Sequence, residues 1–97
     1  MTPTAACVIG HITVKDAARW AQYVASVPGT LADWQAELVF RGQCREVLGG
    51  AHGHTDTVVL RFPSVEAAEG WFRSPAYQAL IPLRHQAADV DLILCAA

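Results

Sequence analysis

This 97-residue chain carries little charge and no long apolar run. Lys, Arg, Asp and Glu make up 16% of the residues, and the formal net charge is −2. No basic cluster is present that could neutralise phosphates, so nucleic acid is not an expected partner. No apolar run approaches the roughly 20 residues that span a bilayer. The first ten residues have neither the basic nor the apolar region of a secretory signal. We therefore expect a cytoplasmic protein that does not contact membranes.

Cysteine is also scarce, and its spacing is not that of a disulfide framework or a zinc site. The three cysteines are Cys7, Cys44 and Cys95, with no C-x-x-C pair. An odd number of unpaired cysteines is typical of free thiols in a reducing compartment, where they behave as small buried apolar residues. A serine hydrolase is not indicated either, since neither Ser64 nor Ser74 lies in a G-x-S-x-G motif.

What the sequence does contain is an alternation of strand-like and helix-like segments in one domain, residues 1–97. Strands are predicted at 6–14, 37–48, 55–62 and 90–95, and helices at 17–27, 65–73 and 81–88, with short turns at 30–34 and 75–80. Asp16, Ser64 and Ser74 stand where helix N-caps are needed. Pro28-Gly29 should end the first helix. The order β-α-β-β-α-β predicts an α+β, ferredoxin-like fold: a four-stranded antiparallel sheet in the order 4-1-3-2, with the helices on one face.

Alternation along the strands divides their side chains between two faces of the sheet. One face is almost wholly apolar and is assigned to the helices: Val8, Gly10, Ile12, Val14, Leu38, Phe40, Val58, Leu60, Phe62, Leu92 and Leu94. The other face is mixed: Cys7, Ile9, His11, Thr13, Val39, Arg41, Gln43, Thr57, Val59, Arg61, Asp91, Ile93 and Cys95. Leaving its five or six apolar side chains in water would forfeit on the order of 10 kcal/mol. A second copy of the sheet is the simplest cover, which predicts a homodimer through this face, a dimeric α+β barrel.

Three polar residues on the mixed face become candidates for function. His11 is the candidate catalytic residue, because an imidazole titrates near neutral pH and suits general acid–base chemistry. Arg41 and Arg61 could hold an anionic or carbonyl ligand. The alternative is structural: the arginines pair with Glu37 or Asp91, and His11 bridges strands or subunits.

A second group of candidates lies outside the sheet. His52 and His54 form an H-x-H in a glycine-rich loop with Asp56 just beyond, but a metal would need further ligands and no metal is predicted. Trp71 and Tyr77 either pack in the core or wall the mouth of a pocket.

Four segments together resemble one family over nearly the whole chain: "VIGHITVKD" (8–16), "LVFRG" (38–42), "FPSVEAAEGWFRSPAYQAL" (62–80) and "PLRHQAADVDLIL" (82–94). They are similar to domain-of-unknown-function 1330, a bacterial family in the dimeric α+β barrel superfamily. The resemblance implies a ferredoxin-like fold and a sheet-to-sheet homodimer, but no reaction. Its recurrent positions include Trp71, Tyr77 and Arg84. Arg61 replaces an acidic residue and Gln43 replaces a glycine of the family pattern.

These observations predict a small homodimeric protein with a small-molecule pocket between the sheet and the dimer partner. It is expected to bind, or to transform without a cofactor, a small carbonyl or aromatic metabolite. The alternative is a non-catalytic binding or accessory module of the same fold. The predicted ligand-binding residues are Arg41, Arg61, Trp71, Tyr77 and Arg84, with His11 as the catalytic candidate.

Overall fold

The computed structural model describes residues 5–97 and has the predicted ferredoxin-like architecture. Its elements in chain order are β1 Ala6–Val14, α1 Ala17–Leu31, a 3-10 turn Ala32–Trp34, β2 Glu37–Gln43, β3 Asp56–Phe62, α2 Val65–Arg73, α3 Pro75–Gln78, α4 Ile81–Ala87 and β4 Ala88–Ala96. The four strands form one antiparallel sheet in the order β2-β3-β1-β4. The predicted fold class and strand order are confirmed. In the described residues, no helix is long and apolar enough to cross a membrane.

Three helices begin at the predicted caps. The Asp16 carboxylate accepts a hydrogen bond from the backbone N–H of Arg19 at the start of α1. Ser64 caps α2 in the same way, and Ser74 caps α3. Each side-chain oxygen satisfies a backbone donor that has no partner within the helix. Proline at the first position of α3 adds no penalty there, because that N–H would be free in any case.

The end of α1 differs from the prediction. The helix does not stop at Val27 but continues through Pro28 to Leu31. Proline removes only one hydrogen bond near the end of a helix, and tertiary contacts hold the last turn in place. The Thr30 hydroxyl donates to the Val27 carbonyl at 2.7 Å and accepts a hydrogen bond from the Trp71 indole at 3.0 Å.

The core lies between the sheet and the helices. Its largest fully buried side chains are Trp71, Tyr77 and Phe62, and Val8, Ile12 and Leu60 supply the sheet side. The rings of Trp71 and Tyr77 pack with their centroids 4.3 Å apart. Both rings therefore pack in the core, which was one of the two alternatives predicted for them.

Strand β2 contains a β-bulge that reverses the faces of its second half. Leu38 lies opposite Leu60, but the next register pair is Phe40 with Val59, so Val39 is an extra residue. Beyond the bulge, Arg41 opposes Val58 and shares its helix-covered face, whereas Phe40 shares the open face with Val59. Both assignments are the reverse of those predicted, because strict alternation holds only where pairing is continuous. The strand also ends at Gln43 rather than at 48, which leaves a loop over 44–55.

The open face consists of ordered rows that run across the sheet. The pairing registers place Phe40, Val59, Ile9 and Ile93 side by side, and we call these four residues the apolar row. Phe40 is 54% exposed and Ile93 46% exposed in the single chain. The row on one side of it contains Cys7 next to Cys95, and the row on the other contains His11 next to Asp91. The expectation of buried cysteines is wrong in the single chain for Cys44 and Cys95, which are exposed.

Two glycines in helices test how tightly the helix layer is packed. A Cβ atom added to Gly70 in α2 would lie 2.5 Å from the Trp34 ring, whereas one added to Gly29 in α1 would meet nothing within 4 Å. Both replacements by alanine gain the same helix propensity. Gly70→Ala should lower the free energy of unfolding by about 1–3 kcal/mol through overpacking, and Gly29→Ala should raise it by about 0.5–1 kcal/mol. Urea denaturation of the matched pair measures both, and equal shifts would contradict the packing of Trp34 on Gly70.

Candidate functional site

A cavity of about 340 Å³ lies between α1 and the helix-covered side of the sheet. Most of its lining is apolar and comes from both layers, including Val24, Val27 and Leu31 of α1 and Ile12, Val58 and Leu60 of the strands. The volume is at the lower end of the range for small-molecule sites. This cavity therefore lies behind the sheet, on the side away from the face predicted to meet a partner.

Aromatic side chains form a large part of the cavity wall. Trp20 and Tyr23, three residues apart on α1, stack with their ring centroids 5.1 Å apart. Trp71 of α2 also lines the cavity. Its ring packs as well against the aromatic side chains of the core. Aromatic walls of this kind favour flat, apolar ligands, because ring faces and edges attract one another beyond simple area burial.

The charged groups of the cavity are one guanidinium and one carboxylate, both on strands. Arg41 reaches the cavity because the bulge turns it to the helix-covered face. Asp56 stands opposite Ile12 at the start of β3, so it shares that face too. In the part of the chain that the structure describes, neither residue takes part in a salt bridge. The charges of both groups are therefore available to a ligand.

Behind the aromatic wall lies a buried chain of hydrogen bonds. Arg84 of α4 donates through Nη1 to the Tyr77 hydroxyl at 2.8 Å, and the hydroxyls of Tyr77 and Tyr23 are 2.8 Å apart. Burial, reinforced by the neighbouring Tyr77, raises the pKa of Tyr23 far above its ordinary value. Tyr23 therefore stays neutral, and the chain ties α1 to α3 and α4 beside the cavity. The Nε atom of Arg84 is buried and makes no hydrogen bond within residues 5–97.

Three histidines cluster at one end of the open face. His54 bridges two strands, with its Nε2 2.7 Å from the Asp91 carboxylate and its Nδ1 2.9 Å from the Thr13 hydroxyl. His11 contacts the Thr57 hydroxyl at 3.3 Å, and the His52 ring lies 5.0 Å from the His11 ring. These contacts hold the 44–55 loop against the sheet. Residues 5–97 contain no group of three His, Cys, Asp or Glu side chains arranged to hold a metal.

The structure distributes the predicted site residues over three places. Tyr77 and Arg84 meet in the buried network, while Trp71 and Arg41 line the cavity. His11 and Arg61 are on the open face, in different rows. Asp91, offered as a counter-charge for an arginine, pairs with His54 instead.

Two polar residues of the cavity, Tyr23 and Asp56, were not predicted as ligand-binding residues, although each left a signal in the sequence. Tyr23 falls three positions after Trp20, so the two rings share one side of α1. Asp56 precedes Val58 and Leu60 at strand period, which places a carboxylate in line with core residues. An acidic residue in register with a buried face is a sign of a site.

The family model of DUF1330, a domain of unknown function, matches residues 5–97 of the sequence, and the chain belongs to that family. No curated protein matches the sequence.

Solved structures share the fold at low sequence identity. The RPA0582 protein of unknown function from Rhodopseudomonas palustris superposes with a TM-score of 0.80 at 19% identity, covering 97% of this chain and 82% of that one. The hydroxynitrile lyase from Passiflora edulis gives 0.71 at 18%, covering 98% and 94%. SnoaB, a cofactor-independent oxygenase from Streptomyces nogalater, gives 0.70 at 13%, covering 97% and 93%. A dimeric ferredoxin-like protein of unknown function from Thermobifida fusca gives 0.64 at 13%, covering 98% and 92%.

The buried tyrosine network predicts an alkaline response that can be followed by ultraviolet absorbance. The chain has two tyrosines, so Tyr77→Phe leaves Tyr23 as the only one. Burial is the main cause of the raised pKa, and it should persist in this variant because only the Tyr77 hydroxyl is removed. Tyrosinate absorbance should therefore not appear near pH 10, the ordinary tyrosine pKa, in the folded variant.

The sign of the stability effect follows from the same shift. Folded Tyr23 holds its proton more tightly than unfolded Tyr23 does, so this proton stabilises the folded state. The stabilisation is fully present below the pKa of the unfolded state, and it is lost as the pH rises above about 10. As the control, Tyr23 of the urea-unfolded variant should ionise near pH 10, the ordinary tyrosine pKa. Ionisation of folded Tyr77→Phe near pH 10 would contradict the burial of Tyr23.

Proposed function

We propose that this protein is a homodimeric small-molecule binder whose ligand occupies the cavity between α1 and the sheet. Its reaction, if the ligand is turned over, is cofactor-independent chemistry on a small carbonyl or aromatic metabolite. The observation that carries this proposal is the cavity itself: an aromatic-walled space with a free guanidinium on its lining. An apolar pocket with a few convergent polar groups is the usual form of a ligand site.

Proteins with this fold include enzymes that carry out different reactions. Two structural neighbours are enzymes by name, a cofactor-independent oxygenase and a hydroxynitrile lyase. Both are below 20% identity, so they support the architecture and not a particular reaction. In the cavity, Arg41 is suited to stabilise negative charge on a ligand oxygen, and Trp71 packs against the ligand ring. Tyr77 and Arg84 support the wall from behind through Tyr23.

One observation favours the second candidate function, a non-catalytic binding module. Within residues 5–97, the cavity lining contains no histidine, cysteine, serine or lysine. His11, the predicted catalytic residue, lies on the open face of the sheet, so a catalytic role for it would require chemistry at the dimer interface. That role and the ligand contact predicted for Arg61 stay predictions. Turnover of a bound ligand separates the two candidate functions.

The proposed dimer covers the open face. The apolar row crosses all four strands, so two copies could bring it into self-complementary contact around a twofold axis. The Thermobifida fusca neighbour is dimeric by name, which supports the same assembly here. Covering the row would remove from water side chains that are each worth about 1.5–3 kcal/mol when fully buried.

A single charge in the apolar row tests the dimer. Ile93→Asp should convert the dimer to a monomer, raising the dissociation constant at least about a hundredfold, because an unpaired carboxylate is costly to bury. Leu48→Asp is the matched control, since Leu48 is 90% exposed in the loop outside the row. Sedimentation velocity at micromolar concentration gives the readout. A monomeric unmodified protein, or an Ile93→Asp variant that stays dimeric, would refute this interface.

Filling the cavity tests the ligand site. Val24→Trp places an indole in the cavity from α1, whereas Ala25→Trp adds the same group on the exposed side of the same helix. With 2-methoxynaphthalene as the fluorescent probe, Val24→Trp should weaken binding at least about tenfold, a loss of about 1.4 kcal/mol. Ala25→Trp should leave binding unchanged. Far-ultraviolet circular dichroism checks that both variants fold, and equal affinities of the two would place the binding site elsewhere.

A further inference from the structure

The geometry points to a neutral aromatic hydroxyl compound, a phenol or an aromatic enol, as the ligand class of the cavity, selected by Asp56 and Arg41 together. This inference rests on the proposed function, because it assumes that the α1–sheet cavity is the ligand site. It adds Asp56 as a specificity-determining residue. It also selects aromatic hydroxyl compounds from the aromatic and carbonyl ligands that the cavity could otherwise admit.

The two charged groups reach the same cavity from adjacent strands. Arg41 opposes Val58 and Gln43 opposes Asp56, so Arg41 and Asp56 occupy diagonal positions on one face of the β2–β3 pair. Diagonal neighbours on a sheet are roughly 7–8 Å apart at the backbone, within reach of long side chains. No salt bridge joins them in the described residues. A ligand atom can therefore approach both groups.

The Asp56 carboxylate is oriented by its neighbour and keeps acceptor capacity. The Thr55 hydroxyl lies 2.8 Å from Asp56 Oδ1 and donates to it, and the same hydroxyl contacts the Ile12 carbonyl at 3.2 Å. An ionised carboxylate has about four lone-pair sites, so Oδ2 remains available to accept from a ligand. This places a fixed hydrogen-bond acceptor at the edge of an apolar cavity.

The charge pattern discriminates among ligands of similar shape. A carboxylate ligand would pair with the Arg41 guanidinium but would be repelled by the Asp56 carboxylate. A ketone or ether accepts from Arg41 but offers no proton to Asp56. An aromatic hydroxyl satisfies both groups, since its O–H donates to Asp56 while its oxygen accepts from an Arg41 N–H, and its ring packs between Trp20, Tyr23 and Trp71. A site built to pair with a substrate hydroxyl rejects analogues that leave its polar groups unpaired.

Three probes with the same bicyclic ring test the assignment: 2-naphthol, 2-methoxynaphthalene and 2-naphthoate. The unmodified dimeric protein should bind 2-naphthol about tenfold more tightly than 2-methoxynaphthalene, the effect of one hydrogen bond to a charged acceptor. It should bind 2-naphthoate most weakly of the three. Isothermal titration calorimetry at neutral pH and fixed salt gives the affinities.

Asp56→Asn keeps the size of the side chain and removes its charge. The variant should lose most of the preference for 2-naphthol and should gain about tenfold in affinity for 2-naphthoate, because the repulsion is removed while Arg41 remains. Asp56→Asn combined with Arg41→Gln should lose that gain. The control is Glu46→Gln, which removes the same charge from the exposed loop and should leave the order of affinities unchanged.

The outcomes separate this inference from the proposed function. If the unmodified protein binds none of the three probes, the cavity is not an aromatic ligand site and both proposals fail. If 2-methoxynaphthalene binds as tightly as 2-naphthol, the cavity is a ligand site but Asp56 does not select a hydroxyl. An Asp56→Asn variant without the gain in affinity for 2-naphthoate would overturn the role of Asp56. A merely structural role for Asp56 would weaken all three probes alike.

Discussion

One extra residue in β2 determines what each side of the sheet can do. Val39 interrupts the pairing of β2 with β3, and every residue after it lies on the face opposite to the one that alternation would give. Arg41 thereby enters the cavity behind the sheet, and Phe40 joins the apolar row on the open face. Without the bulge, Arg41 would lie on the open face opposite Thr57, and Phe40 would lie on the helix-covered face opposite Val58. Bulges often re-aim side chains at sites in this way.

The placement of the Phe40 ring depends on a neighbouring glycine. Phe40 and Gly42 lie on the same open face, and a Cβ atom at Gly42 would stand 2.7 Å from Phe40 Cζ. The ring therefore folds along its own strand over a position that only glycine leaves free. This arrangement explains the Phe-Arg-Gly order of the strand in physical terms. Phe40 covers part of the open face, Arg41 supplies a charge to the cavity, and Gly42 leaves the space that the Phe40 ring occupies.

Much of the fold could be predicted from local chemistry, and the site could be predicted only in part. Helix caps at Asp16, Ser64 and Ser74 depend on the immediate sequence, and so does the period of the strands, which together fix the β-α-β-β-α-β order. The faces of β1 and β3 followed from that period as well. The bulge did not, since a register shift depends on pairing between distant residues. Arg41, which was predicted to bind a ligand, was therefore assigned to the wrong side of the sheet.

The sheet separates the proposed interface from the proposed ligand site, which the sequence pattern had placed together in one pocket. Its open face has an apolar row flanked by the histidine cluster, an arrangement that a second copy can cover. Its other face forms a cavity whose wall is fixed by the buried Tyr23–Tyr77–Arg84 chain. The strands β1 and β3 contribute side chains to both faces: Ile9 and Val59 lie in the apolar row, whereas Ile12 and Asp56 line the cavity. The proposed interface and the proposed ligand site therefore share the backbone of two central strands but no side chain.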